Sequence, residues 1–329
     1  MIAEETTTGR RPFPFIFGLN FLFVPILVIF VVLSIYAPNF LTAGNIENIL
    51  RLACIYMVLG VGQTMVMTSA NIDLSIGSMS ALIMALVGTV VLGDFAFLLG
   101  QNVLAGIVLA LVLGTTFGAV NGLIVTKFKV PSLLATLGVL VTYRGIVQEY
   151  MYGSYHVRFP ESLRFLGQGS VLGIPTPVIV ALLVAVAGWL ILHRSRFGRH
   201  VIAVGSNEQA AIRAGINVDR VKIGVFALQG FLVGLAAILF MGRLNSAHPS
   251  FGIGMELHII AGVVLGGTLL FGGYGTIIGT VLGMTLIGVL ENGLLLAGAG
   301  FFWQQIFLGL LIIASVGVQL HFHRRRSRK

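Results

Sequence analysis

"MVMTSANIDLSIGSMSAL", residues 65–82, joins two apolar runs through a short polar segment that extends from Ser69 to Ser75. Asn71, Asp73 and Ser75 are residue types that favour helix N-caps, so a new helix is predicted to start after them. One interpretation is a capped turn at a membrane surface. The other is a broken helix inside the protein, because irregular backbone at membrane depth is tolerated only where protein or a wet cavity surrounds it.

The composition of the whole chain indicates a membrane protein. Its 329 residues are 57% hydrophobic and 9% charged, whereas soluble domains are about half apolar and about a quarter charged. The chain lacks the alternation of apolar and polar residues that marks membrane barrels. It is therefore predicted to be an all-α polytopic membrane protein. Its single cysteine, Cys54, and its scattered histidines have no metal-ligand spacing, so no metal site is predicted.

Apolar segments long enough to cross a bilayer, about 20 residues each, recur about ten times, and some of these helices are predicted to be broken. The first follows the paired Arg10 and Arg11 and is too long for the apolar part of an export signal, so it is predicted to be a retained span. All segments belong to a single transmembrane domain, residues 1–329. The predicted spans are 15–36, 47–68, 76–93, 102–126, 131–151, 176–193, 220–241, 256–271, 275–296 and 302–320.

Lysine and arginine residues concentrate on one side of these spans. Most of the 20 fall in segments that an even number of spans places on the same side as the N-terminus. Because basic loops stay in the cytoplasm, the cytoplasmic parts are predicted to be the N-terminal segment 1–14, the loop 194–219 and the basic tail 321–329. The net charge of +9 thus reflects orientation, and no nucleic-acid partner is predicted.

Glycines recur at every fourth position in two places. One repeat is Gly114, Gly118 and Gly122, and the other is Gly275, Gly279 and Gly283. Small residues at this spacing allow membrane helices to approach closely, so both repeats are predicted to pack helix against helix. The second repeat lies in residues 266–283, where glycines interrupt an apolar run. This second break is predicted to face the same side as the first.

The loop at residues 193–222 carries the densest charge in the chain. Ser206 and Gln209 have the S-x-x-Q spacing of a capping box, and good helix formers follow. Gly215 suits a left-handed C-terminal cap. A short cytoplasmic helix is therefore predicted at about residues 207–214. Because so short a helix is unstable alone in water, either the ends of the membrane helices or a docked partner must hold it.

The same loop carries a resemblance to a known family. "QAAIRAG", residues 209–215, resembles the EAA-x-x-x-G pattern of permease subunits of ATP-binding-cassette (ABC) importers, with Gln209 where that pattern usually has Glu. "NIDLSIGS", "RFGRHVIAVGSNEQAA" and "AGVVLGGTLLFGGYGTIIG" together resemble the branch, within the permeases for branched-chain amino acids and sugars, that imports ribose and other monosaccharides. "TLGVLVTYRGIVQEY" is more similar to permeases for rhamnose or the furanose autoinducer. The resemblance extends from about residue 40 to residue 315.

The resemblance implies a transport subunit that is not an enzyme and that works with partners. These are a second copy of this chain or a paralogue, two cytoplasmic ATPase subunits, and a periplasmic or lipid-anchored sugar-binding protein, at a bacterial inner membrane. The chain has no G-x-x-x-x-G-K-[ST] loop, so ATP and Mg are predicted to bind the partners and this chain to need no cofactor. In the family the cytoplasmic helix couples to the ATPase, which implies that role for Ser206, Asn207, Glu208, Gln209, Ala210, Ala211 and Gly215.

Polar side chains inside the predicted spans are the candidates for a substrate path. A neutral sugar needs small polar groups that do not hold it tightly. The residues predicted to line the path are Asn71, Asp73, Ser75, Asn121, Gln229 and Asn292. Arg144 and Glu149 are five residues apart and share no helix face, so each is predicted to find a partner on another helix or to lie near the outer surface. The outer loops 152–175 and 243–255 are expected to meet the binding protein.

Two functions fit these features. The first is the membrane subunit of an ABC importer that moves a monosaccharide or related small polyol by alternating access. The alternative is a secondary sugar transporter driven by protons or sodium, which needs a coupling carboxylate such as Asp73 or Glu291 but leaves the short cytoplasmic helix unexplained. An intramembrane enzyme is disfavoured because no catalytic constellation stands out in the sequence.

Overall fold

Helices form almost all of the framework. The computed structural model describes residues 19–93 and 102–326. The helix Thr176–Trp189 continues for five residues as a π-helix, Leu190–Arg194. The α-helices in chain order are α1 (Leu19–Tyr36), α2 (Ala43–Thr68), α3 (Ile76–Leu92), α4 (Val103–Lys127), α5 (Ser132–Met151), α6 (Glu161–Gln168), α7 (Thr176–Trp189), α8 (Arg196–Ser206), α9 (Glu208–Arg213), α10 (Val218–Leu244), α11 (Met255–Leu265), α12 (Ile277–Leu296) and α13 (Phe301–Arg326).

Each predicted span contains one of these helices. By length and apolar composition, α2, α4, α7 with its π-helical extension, α10 and α12 can cross a membrane, and shorter apolar helices lie in α1, α3, α11 and α13. The prediction of an all-α polytopic membrane protein is confirmed. The predicted N-terminal segment 1–14, the first residues of the first span and the tail residues 327–329 lie outside the described residues.

Helix α2 lies at the centre of the protein. Its side chains are buried almost without a break from Ala53 to Thr68, and it packs against α7, α10, α11 and α12. Outer helices instead expose large apolar side chains such as Val108 of α4 and Leu182 and Leu183 of α7. An apolar outer face and a buried central helix are what a bundle surrounded by lipid requires.

Glycines bring α4 and α10 into close contact. Gly114 and Gly118 of α4 lie against the backbone of α10 at Gly230, and Gly122 lies against Ile223. A side-chain carbon added at Gly114 would overlap the carbonyl oxygen of Gly230. The prediction that this glycine repeat packs helix against helix is confirmed.

The second glycine repeat packs α12 in the same way. Gly279 and Gly283 of α12 lie against α11 at Gly266 and Gly262. Gly275 differs, because it precedes α12 and contacts the side chains of the last turns of α2. The packing prediction is therefore confirmed for two of the three glycines, and the third packs a turn against a helix.

Helix α11 is shorter than the span predicted at 256–271. It ends at Leu265, and the chain then turns through Gly267, whose φ of 87° is a left-handed conformation that favours glycine. The residues between α11 and α12 form the second break. The backbone N–H of Gly273 in this break donates to the carbonyl of Thr68, at 2.9 Å. The two breaks therefore lie side by side, as predicted.

Two loops meet at the end of the protein opposite α9. Strand β1 (His156–Val157) pairs antiparallel with β4 (Ser246–Ala247), which joins the loop after α5 to the loop after α10. Strands β2 (Ser170–Val171) and β3 (Ile174–Pro175) form a second small hairpin. Because the 27 residues of α10 extend about 40 Å at 1.5 Å per residue, these strands lie far from α9.

Candidate functional site

The polar segment Ser69–Ser75 is buried inside the protein. Helix α2 ends at Thr68 and α3 starts at Ile76, with a turn at residues 69–70 and irregular backbone after it. The side chains of Asp73 and Ser75 are fully buried. Of the two interpretations left open by the sequence, this burial favours a broken helix surrounded by protein over a turn exposed at the surface.

Hydrogen bonds that Asp73 accepts hold the end of this helix break. Its Oδ1 atom accepts from the backbone N–H of Ser75, at 2.8 Å, and from the Ser75 hydroxyl, at 2.6 Å. The amide of Asn71 donates to the carbonyl of Ser69 instead. No side-chain cap bond forms at Ser75, which is the N-cap of α3. The predicted caps from Asn71 and Ser75 are therefore wrong, because each of these side chains is used inside the break.

Helix α5 supplies the remaining partners of the break. The hydroxyl of Ser132 accepts from the backbone N–H of Ile72, and the hydroxyl of Thr136 accepts from the N–H of Leu74, both at 3.1 Å. Irregular backbone in the interior needs such partners, because a buried N–H without one is costly. The sequence analysis missed both hydroxyls. Their only local signal is the position of Ser132 directly after Pro131, at the start of a helix.

Asn121 of α4 joins the same cluster. Its Nδ2 atom donates to the Ser75 hydroxyl at 2.8 Å. Among the described residues, neither Oδ1 of Asn121 nor Oδ2 of Asp73 has a hydrogen-bond partner, and both atoms are buried. The structure thus brings three of the predicted path residues, Asp73, Ser75 and Asn121, into one polar cluster with two free acceptor atoms.

Replacing Asp73 by Ala should destabilise the protein. The change removes both hydrogen bonds from Ser75 and leaves its buried N–H unpaired, and each such loss costs about 1–3 kcal/mol. Asp73→Asn keeps an oxygen at the accepting position and should retain most of the stability. Thermal melts of the detergent-purified variants test this expectation. Equal melting temperatures for Asp73→Ala and the wild type would show that these bonds do not hold the break.

The other predicted path residues lie apart from this cluster. Gln229 of α10 is fully buried against Gly62 of α2, and its amide has no partner in the described part of the chain. Asn292 of α12 exchanges two hydrogen bonds with Asn45 of α2, at 3.0 and 2.9 Å. These two bonds occupy the amide of Asn292. The amide of Gln229, in contrast, remains available to donate and accept hydrogen bonds.

Arg144 was predicted to find a partner on another helix or to lie near the outer surface, and its partner belongs to a loop and not to another helix. Its Nη1 atom donates to the carbonyls of Pro249, at 2.7 Å, and Phe251, at 2.8 Å. Both belong to the loop between α10 and α11. Glu149 lies on the same helix as Arg144 but is exposed. The charged side chain of Arg144 therefore anchors a loop backbone and does not pair with Glu149.

The predicted cytoplasmic helix is present as α9, Glu208–Arg213. The Oδ1 atom of Asn207 accepts from the N–H of Ala210 at 2.9 Å and caps this helix. Ser206 instead ends α8, and its hydroxyl donates to the carbonyl of Ile202. The predicted capping box of Ser206 and Gln209 is therefore wrong, because α8, which the sequence analysis missed, continues through Ser206.

Helix α9 presents most of its predicted coupling residues to solvent. Ala211 is buried and anchors the helix, while the other six, Ser206, Asn207, Glu208, Gln209, Ala210 and Gly215, are exposed. Gly215 has a φ of 78° and its N–H donates to the carbonyl of Ile212, so the predicted left-handed cap is confirmed. Lys222 of α10 donates to Glu208 at 2.9 Å, which ties α9 to the next helix.

The end of α8 contacts the start of the buried break. A side-chain carbon added at Gly205 would overlap the carbonyl oxygen of Thr68, the same atom that accepts from Gly273. The segment that leads into α9 therefore lies directly against the last residue of α2. Within the described residues, no group of His, Cys, Asp and Glu is placed to hold a metal ion.

A bundle of apolar helices with a buried break in its interior is typical of transport proteins. The sequence profile of the family described as "Branched-chain amino acid transport system / permease component" matches residues 45–316. The chain belongs to this family. It is therefore a multi-pass transport subunit and not an enzyme.

Individual relatives are similar over nearly the whole chain. The ribose import permease protein of Escherichia coli strain K12 is 39% identical over 96% of this chain and 98% of its own length. The ribose import permease protein of Bacillus subtilis strain 168 is 38% identical over 89% and 90%. An L-arabinose ABC transporter permease protein of Azospirillum brasilense is 33% identical over 92% and 88%. No solved structure matches the chain significantly. These similarities support the ABC permease, and none favours the ion-driven transporter.

Proposed function

We propose that this chain is the membrane subunit of an ATP-driven importer for a monosaccharide or related small polyol. The similarity to ribose and L-arabinose permeases over nine-tenths of the chain carries this proposal. Both sugars are small and neutral, so the proposed substrate class is the neutral monosaccharides and related small polyols. The similarity of residues 136–150 to permeases for rhamnose or the furanose autoinducer predicts one of these substrates, and no observation tests that prediction.

The proposed complex contains a second copy of this chain or a paralogue, two cytoplasmic ATPase subunits that bind ATP and Mg, and a periplasmic or lipid-anchored sugar-binding protein. It lies in a bacterial inner membrane with both termini of this chain in the cytoplasm. The chain itself needs no cofactor. The paired strands that join the two outer loops support a common docking surface for the binding protein at that end.

ATPase coupling is assigned to α9 and its two ends, whose residues are exposed except for Ala211. When the ATPase subunits close, they move α9, and the contact between Gly205 and Thr68 passes the movement to the buried break. Alternating access follows if α2 and the two breaks shift together. The residues assigned to coupling are Ser206, Asn207, Glu208, Gln209, Ala210, Ala211 and Gly215.

The substrate path is assigned to polar groups at the break and to further buried polar groups of the bundle interior. The unpartnered acceptors of Asp73 and Asn121 support this assignment, because they are available to sugar hydroxyls once the break opens. Gln229 has the same unused capacity. Asn71, Ser75 and Asn292 complete the set, and Asn292 contributes only if its pair with Asn45 separates.

Sugar uptake with separated energy sources tests this function. Cells with and without the chain are given labelled ribose, L-arabinose, rhamnose and the furanose autoinducer, with ATP depleted in one arm and the proton gradient collapsed in another. We expect deletion to stop the uptake of one sugar, and that uptake to depend on ATP. Uptake that follows the gradient, or that persists without the chain for every sugar, would contradict the proposal.

A further inference from the structure

A small pocket with a mostly apolar lining and several polar groups lies among α2, α10, α11, α12, α13 and the loop before α11, apart from the helix break. Its cavity measures about 170 Å³, below the roughly 300–1,000 Å³ of pockets for drug-sized ligands. This size suits a small molecule. Its lining includes the side chains of Tyr56, Phe251, His258, Glu291, Gln304 and Gln305.

Glu291 is the charged group of this pocket. The Tyr56 hydroxyl donates to its Oε1 atom at a long 3.4 Å. Its Oε2 atom is buried and has no hydrogen-bond partner among the described residues. The ion pairs found in the same residues involve other carboxylates and not that of Glu291. A buried carboxylate oxygen without a donor is costly. Glu291 therefore has an unmet need for an O–H or N–H group supplied from the cavity.

The remaining polar groups of the pocket together offer both hydrogen-bond donors and acceptors. His258 Nδ1 lies 3.1 Å from the carbonyl of Gly254. For that bond Nδ1 carries the proton, which leaves Nε2 as an acceptor. Gln304 and Gln305 each offer an amide with two donors and an acceptor. The pocket thus presents several neutral hydrogen-bonding groups around one carboxylate.

The walls of the pocket are aromatic. The rings of Phe240 and Phe251 meet edge to face with centroids 4.8 Å apart, and the rings of Tyr56 and His258 have centroids 6.3 Å apart. A ligand that satisfies this pocket must be small, carry several hydroxyls, and present apolar C–H groups to the rings. The charge of Glu291 disfavours a negatively charged ligand; Arg243 lies near enough to interact with this carboxylate, but the two form no ion pair in the described residues.

We propose that this pocket is a transient binding site for the neutral monosaccharide, in which Glu291 accepts hydrogen bonds from its hydroxyls. The inference rests on the proposed function and gives that function a specificity-determining residue. A site that hydrogen-bonds a hydroxyl rejects an analogue that lacks it, because its own polar groups are then left unpaired. The pocket therefore selects hydroxylated sugars and admits neither sugar phosphates nor disaccharides.

The test uses the complete importer with its ATPase and binding-protein partners, supplied with the sugar that the wild type imports and with its singly deoxygenated analogues. Glu291→Gln should lower uptake about tenfold. It should also abolish the discrimination against the one analogue whose missing hydroxyl contacts the carboxylate. Glu149→Gln makes the same chemical change on an exposed face of α5 and should leave both readouts unchanged. Binding-protein-stimulated ATP hydrolysis should stay near the wild-type rate in both variants.

A second variant covers the case in which Glu291→Gln does not reach the membrane. Ile253 lines the pocket but is 58% exposed, so Ile253→Trp narrows the cavity without disturbing the core. We expect it to reduce uptake at least as strongly while ATP hydrolysis continues. Wild-type uptake and an unchanged analogue profile in the folded variants would overturn the pocket assignment. Absence of sugar uptake by the wild-type importer would instead overturn the proposed function.

Discussion

Gly215→Pro will reduce sugar uptake to below about a tenth of the wild-type rate while the protein remains in the membrane. Gly215 has a φ of 78°, whereas proline fixes φ near −65° and lacks the N–H that here donates to Ile212. The substitution therefore removes the turn that orients α9. Because this turn is exposed, the membrane helices should still fold. Uptake assays combined with immunoblots of membrane fractions measure both quantities.

Gly215→Asn is the matched control for this prediction. Asparagine tolerates the left-handed conformation better than other side chains, and an added carbon at this position meets nothing within 4 Å among the described residues. We therefore expect more than half of the wild-type uptake. Normal uptake by Gly215→Pro would show that the geometry of α9 is not required for coupling.

Reversing the charge of Glu208 tests the coupling role of α9 independently of Gly215. Glu208→Lys should abolish uptake if this exposed carboxylate meets the ATPase. Its ion pair with Lys222 contributes at most about 1 kcal/mol at the surface, so stability should change little. Lys222→Ala removes the same ion pair and leaves Glu208 in place. Equal losses in the two variants would assign the effect to the ion pair, whereas a loss in Glu208→Lys alone assigns it to docking.

Gly230→Val will separate α4 from α10 and lower the free energy of unfolding. A side-chain carbon at Gly230 would overlap the carbonyl oxygen of Gly114. Because the obstacle is backbone, it cannot move aside as a flexible side chain can. Overpacking of this kind costs about 1–3 kcal/mol and occasionally more. We expect a lower melting temperature in detergent and less protein in the membrane.

Gly138→Val on α5 makes the same chemical change where an added carbon meets nothing within 4 Å in the described chain. It should melt near the wild-type temperature, since it changes helix propensity alone, by less than about 1 kcal/mol. Because valine has a higher helix propensity than glycine, an equally lowered melting temperature in both variants would contradict the assignment of the loss to packing between α4 and α10.

Local patterns predicted the elements whose partners lie nearby in sequence. The apolar runs predicted the helices, and the spacing of Gly114, Gly118 and Gly122 predicted close packing, because both follow from helical periodicity. The left-handed turn at Gly215 was predictable because glycine is the usual residue at a left-handed helix C-terminus. Ser206 was misread, since the S-x-x-Q pattern does not reveal that an earlier helix continues through it.

Contacts between distant segments were not predictable in this way. Ser132 and Thr136 bond to a break about 60 residues earlier in the chain, and no local rule links the two segments. The pocket around Glu291 is similar, because its side chains come from different helices. Asn292 was predicted to line the path because of its polarity alone. Its hydrogen bonds with Asn45 became visible only in the folded structure.

The contact of Gly205 and Gly273 with the Thr68 carbonyl has a mechanical consequence. Side chains between moving segments can absorb a displacement by changing rotamer, whereas backbone packed against backbone cannot. Since neither glycine has a side chain to deform, the junction between α8, α2 and the second break is stiff. A small displacement of α8 at the surface would therefore move the end of α2 by nearly the same distance. A single methyl group added at Gly205 would change the size of that movement.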